Sequence, residues 1–78
     1  MNIRSHVGNY YTVDGVDGRF EWTPKNGFVK IHHVVNGKRN YVGDAPMGFK
    51  VGNPKVKNQI EGAIARYIEN GFSISNKK

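Results

Sequence analysis

Lys30, His32, Arg39 and Tyr41 are the residues whose types and spacing most readily do chemistry. Lys30 and His32 lie two positions apart, as do Arg39 and Tyr41, so on extended strands each pair shares one face. Cations repeated this way on neighbouring strands about 4.8 Å apart project in parallel and can follow a phosphate backbone. A tyrosine and an imidazole beside them supply stacking or base-edge contacts. Lys50, Lys55 and Lys57 form a second basic group around a helix start, where the positive end of the helix dipole also favours a phosphate.

Other chemistries find less support. His32 and His33 are adjacent on a strand and point to opposite faces, so they cannot chelate one metal together, and His6 adds no ligand spacing. The chain has no cysteine, which removes disulfides and thiolate sites. The segment Asp14-Gly-Val-Asp-Gly18 lacks the further oxygen ligands and closing glutamate of a calcium loop. Gly43 to Lys50 contains no Gly-Lys-Ser/Thr and is not a phosphate-binding P-loop. Ser5-His6 is an adjacent nucleophile and base with no third group to orient them. Asp14, Asp17 and Glu21 sit in a turn-rich setting that does not suit a metal site for phosphodiester cleavage. The expectation is a non-enzymatic protein without metal or cofactor.

The elements that must position the basic residues are marked by turns. Arg19-Phe-Glu-Trp-Thr23 alternates polar and apolar, Pro24-Lys-Asn-Gly27 has turn chemistry, and Phe28 to Val35 is rich in β-formers. Asn36-Gly37 is a strong hairpin signal, because a type I′ turn needs positive φ at both central positions. Lys38 to Gly43 returns. Tyr10 to Val13, closed by Asp14-Gly15 or Asp17-Gly18, is a candidate further strand. The result is a meander of three strands, or four.

The C-terminal third reads as one helix over about 54–70. Asn53 suits the N-cap and Pro54 the first helical position. Val56, Ile60, Ala63, Ile64, Tyr67 and Ile68 form one apolar stripe, and Gly71 stands where a left-handed residue ends a helix, with Phe72 behind it to fold back. Gly62 falls on the polar side, where it costs about 1 kcal/mol relative to alanine. Either that cost is simply tolerated, which is the commoner case, or a partner protein or a second copy of the chain approaches closely there, which keeps a homodimer among the assemblies in view. The expected fold is α+β: a three- to four-stranded antiparallel meander covered on one face by a single amphipathic helix. One domain spans 1–78, with flexible ends at 1–8 and 73–78.

Two-residue turns at Asn26-Gly27 and Asn36-Gly37 set the register. They pair Trp22 with Ile31, Phe20 with His33, His33 with Asn40, and Ile31 with Val42. Phe20, Trp22, Val29, Ile31 and Val42 then share the face for the helix. Arg19, Glu21, Thr23, Lys30, His32, Val34, Arg39 and Tyr41 share the face left in water. A bulged loop at Asn36-Gly37 would swap sides for the last strand.

Charge and size narrow the partners. The 78 residues carry net charge +6, and all of that excess is matched by residues 25–60, with seven Lys or Arg against Asp44 alone. A domain this small rarely encloses its own active-site cavity. No stretch approaches the roughly 18 consecutive apolar residues of a membrane span, and Met1 to Tyr10 has no secretory pattern, so a cytoplasmic protein without a membrane partner is expected.

From Gly27 to Ile68 the order strand, Asn-Gly-Lys turn, strand, helix resembles the small sheet-plus-helix DNA-binding domains of the AP2 type and the arm-binding domains of tyrosine integrases. The residues that carry this are Gly37-Lys38-Arg39-Asn40-Tyr41-Val42-Gly43 and, in the helix, Ala63-Ile64-Ala65-Arg66-Tyr67. The segment from Gly43 to Asn53 departs from that pattern: it is longer and lacks the Thr/Glu-rich helix start. The resemblance implies a sheet face laid in the DNA major groove, with Lys30, His32, Arg39 and Tyr41 as contacts. Two functions are therefore in view. One is a nucleic-acid-binding module, with DNA expected in preference to RNA, using those residues with Lys50, Lys55 and Lys57. The other is an inhibitor or adaptor of the kind mobile genetic elements encode, whose basic surface meets an acidic patch on a host protein.

Overall fold

The computed structural model describes residues 2–46 and 54–72, apart from the side chains of Pro54 and Lys55. Among these described residues five strands, β1 (Ile3–His6), β2 (Tyr10–Val13), β3 (Arg19–Lys25), β4 (Phe28–Val35) and β5 (Lys38–Pro46), precede one helix, α1 (Pro54–Glu69). The strands form one antiparallel sheet in sequence order. The expected three or four strands are thus five. The additional one is β1, within the segment expected to be a flexible end. Its sequence, Ile-Arg-Ser-His, has no apolar alternation, and it is recruited by pairing with β2, with Ile3 alone partly buried against the core.

Both hairpin turns set the register expected of them. Asn36 and Gly37 have φ of 54° and 76°, as a type I′ turn requires. Phe20 opposes His33, Trp22 opposes Ile31, and Val35 opposes Lys38. Pro24 lies inside β3 opposite Val29, beyond the reach of the short β2–β3 ladder, so its missing N–H faces no partner strand.

One pairing differs. Ile31 opposes Gly43 instead of Val42, because a β-bulge falls between the Ile31 and His32 pairings. An extra residue on β5 changes the parity of everything after it. Val42 and Ala45 consequently both point into the core, three positions apart, while Asp44 stays exposed. Regular alternation would have buried Asp44.

The core forms where α1 crosses this inner face. Phe20, Val29 and Ile31 are fully buried against Ile60, Ile64 and Val56, with Tyr11, Val13, Val42, Ala45, Ala63 and Tyr67 around them and Trp22 and Ile68 at the margin. The helix ends as its glycine dictates. Gly71 takes φ of 71°, its N–H donates to the Ile68 carbonyl and the Phe72 N–H to the Tyr67 carbonyl, and the Phe72 ring packs on Tyr67 at 5.7 Å. That pair of hydrogen bonds with its hydrophobic contact is a Schellman cap.

His33 is the one buried polar side chain among the described residues. It stacks on Phe20 at 4.4 Å, donates from Nε2 to the Asp17 carbonyl (2.8 Å) and accepts at Nδ1 from the Tyr67 hydroxyl (3.2 Å). Strand, helix and the β2–β3 turn are joined at this one ring, which satisfies both ring nitrogens as a buried imidazole requires.

Candidate nucleic-acid interface

The sheet face opposite α1 has no element covering it among the described residues. Its centre is set by β4 and β5. Lys30 and His32 on β4 face outward because Val29, Ile31 and His33 face the core. Arg39 opposes Val34, and Tyr41 opposes His32. Four of the predicted site residues, Lys30, His32, Arg39 and Tyr41, are therefore gathered into one cluster. The Lys30 ammonium lies 5.5 Å from the centre of the Tyr41 ring, His32 meets Tyr41 edge-on at 5.8 Å, and Arg39 donates a long hydrogen bond from Nη2 to His32 Nδ1 (3.4 Å).

Of the other three predicted residues only Lys57 has a described side chain. Lys50 and the Lys55 side chain lie outside the described residues. Lys57 is exposed on α1, and α1 covers the opposite face of the sheet, so Lys57 and the cluster do not form one surface.

The electrostatics of the cluster follow from its neighbours. Partial burial first, then the charges of Arg39 and Lys30, hold the His32 imidazole below its ordinary value of 6.5, with Glu21 and Asp44 opposing. His32 is accordingly neutral at neutral pH, consistent with Nδ1 accepting from Arg39. Loss of hydration, a hydrogen bond donated to Asp44 and that carboxylate's charge push the Tyr41 hydroxyl up to about 12. Lys30 and Arg39 make no ion pair among the described residues, where the two ion pairs are Arg4 with Asp14 and Arg19 with Glu21. Asp14 is held below the usual carboxylate range by hydrogen bonds from Arg4 and Asn2.

Sequence reading missed the other half of this face. Because β1 and β2 continue the sheet, one register row crosses every strand: His6 opposes Tyr10, Tyr10 opposes Glu21, Glu21 opposes His32, and His32 opposes Tyr41. His6 stacks on Tyr10 with centroids 4.8 Å apart and planes 11° from parallel. The Arg19 guanidinium sits 5.2 Å from the Tyr10 ring centre while holding Glu21 at 2.8 Å. Two ring pairs thus flank a central carboxylate. The signal for it was the pairing of Tyr10-Tyr11 with Phe20-Glu21, which sequence alone does not give. Among the described residues no group of three or more His, Asp or Glu is placed to hold a metal ion, and no helix is long and apolar enough to cross a membrane. Comparison with known proteins finds no matching family model, no matching curated protein and no matching solved structure.

Proposed function

We propose that this chain is a small, non-enzymatic nucleic-acid-binding module that uses the outer face of its sheet. The observation that carries this reading is the state of Lys30 and Arg39: two cations with no carboxylate partner among the described residues, held against Tyr41 and His32 in the middle of an uncovered face. Such cations accept phosphates without first breaking an ion pair, and each phosphate contact releases counterions. The resemblance of the Gly37–Gly43 strand to AP2-type domains points to the same residues and to DNA in preference to RNA. Lys57, with Lys50 and Lys55, is a second contact region in this reading.

Titration of labelled oligonucleotides at several salt concentrations tests it. Affinity falls steeply with salt, and Lys30→Ala with Arg39→Ala flattens the logarithmic slope by roughly 1.4 to 1.8 in total, at about 0.7 to 0.9 per lost phosphate contact. No binding at micromolar protein in low salt overturns the proposal. The basic face would then belong to the protein-binding reading, in which a partner is retained from lysate after nuclease treatment.

A further inference from the structure

Resting on that nucleic-acid reading, we infer that the ligand is a single strand whose bases stack on the row of rings crossing the sheet, His6 and Tyr10 at one end and His32 and Tyr41 at the other. The register places these residues side by side on consecutive strands. At a strand separation of about 4.8 Å the row from His6 to Tyr41 covers roughly 19 Å, room for several nucleotides laid across the strands. Tyr41 is the more accessible of the two tyrosines in the row, at 38% exposed, and His6 is exposed beside Tyr10.

Two features of the face favour an unpaired strand over a duplex. In a duplex the bases are stacked on one another and present only their edges and phosphates, so rings on a sheet face would have no base to stack on. A single strand exposes every base as a π-face, and base-on-ring stacking is tolerant of sequence. The second feature is the placement of acids. Glu21 stands at the centre of the row and Asp44 beside Tyr41. Carboxylates there oppose a continuous line of phosphates but accept from the amino and imino groups of base edges. The cations lie next to the rings instead: Arg19 over Tyr10, Lys30 over Tyr41, Arg39 against His32. A base arriving on Tyr41 displaces the flexible Lys30 side chain from the ring towards the phosphate of the same nucleotide.

The test uses the intact chain and four probes of about ten nucleotides: oligo-dT, oligo-U, a duplex of the same length, and an abasic strand that keeps the phosphates and lacks the bases. Fluorescence anisotropy is expected to show oligo-dT or oligo-U bound at least several-fold more tightly than the duplex or the abasic strand, and the two single strands together decide between DNA and RNA. Tyr41→Ala is expected to weaken single-strand binding by roughly five-fold to a hundred-fold, the range for one lost stacking platform, while Tyr41→Phe keeps most of it. Tyr10→Ala and Tyr10→Phe repeat the comparison at the other ring pair. All four substitutions are outside the apolar core, and a thermal unfolding transition confirms that each variant folds. If the abasic strand or the duplex binds as well as oligo-dT, and Tyr41→Ala matches wild type while Lys30→Ala and Arg39→Ala weaken binding, stacking is overturned and phosphate binding stands. If none of the probes binds, both readings fall.

Discussion

Gly18 tests the architecture beneath this face at a single atom. It has φ of 79°, and a Cβ built on it would lie 2.3 Å from the Val34 carbonyl oxygen and 2.8 Å from the Val35 Cβ. Gly15, in the same β2–β3 connection, has φ of 83° and open space where its Cβ would go. The two glycines share the conformational demand and differ in the clash. Alanine in the left-handed region costs roughly 1–2 kcal/mol, and the lost freedom of the unfolded chain returns about 0.4–1 kcal/mol. Gly15→Ala should therefore destabilise by roughly 0–1.6 kcal/mol. Gly18→Ala cannot relieve its contact by a rotamer change, because the obstacle is backbone. The turn must lift from the end of β4, taking the Asp17 carbonyl away from His33 Nε2, now 2.8 Å distant. A buried imidazole N–H left without its acceptor costs about 1–3 kcal/mol, so Gly18→Ala should cost about 1–3 kcal/mol more than Gly15→Ala. Urea unfolding followed by far-ultraviolet circular dichroism measures both, with the midpoint read at constant slope. At this chain length each 1 kcal/mol moves the thermal midpoint by about 4–8 °C. In a His33→Ala background the penalty of Gly18→Ala should shrink, since the hydrogen bond is already gone. Equal losses for Gly15→Ala and Gly18→Ala, or full additivity with His33→Ala, would refute the close approach and its link to His33.

Further predictions concern the buried histidine and the outer face. His33→Leu removes the donor to Asp17 and the acceptor for Tyr67 together and should destabilise by about 1–3 kcal/mol, whereas Tyr67→Phe, which leaves the Asp17 bond intact, should cost about 0.5–1.5 kcal/mol by the same denaturation assay. Because the folded state holds His32 below 6.5, the unfolded chain binds more protons in the window below that value. Its contribution to stability therefore increases as pH rises through the window and is lost on acidification. Arg39→Ala should raise the His32 midpoint part of the way back, leaving the effect of burial, and an unchanged titration of its imidazole protons by NMR would contradict that. Asp44→Asn should bring the Tyr41 hydroxyl down from about 12 towards the ordinary tyrosine value of about 10, visible in phenolate absorbance, with burial retaining some of the shift.

The local chemistry of this chain was legible without coordinates. Asn36-Gly37 specifies a tight turn because both residues tolerate positive φ, and counting from that turn places His32 beside Tyr41, while counting from Asn26-Gly27 places Phe20 beside His33. The apolar stripe of α1 and its Gly71 ending were equally local, since a helix and its cap are set by residues within a few positions of one another. The inner set Phe20, Val29 and Ile31, and the outward Lys30, His32, Arg39 and Tyr41, came with them.

What the tertiary structure decided were the features set by partners distant in sequence. β1 exists because β2 offers it an edge, and its four residues carry no signal of their own. The bulge before Gly43 arises because β5 must bury Val42 and also Ala45, and strict alternation allows only one of them. His33 is structural because the Asp17 turn and Tyr67 converge on its two nitrogens. The same is true of the outer face: sequence placed a basic cluster there, and only the pairing of all five strands extended it into a row of rings reaching His6. Short-range sterics are written in neighbouring residues, whereas strand recruitment and burial depend on which distant surfaces meet.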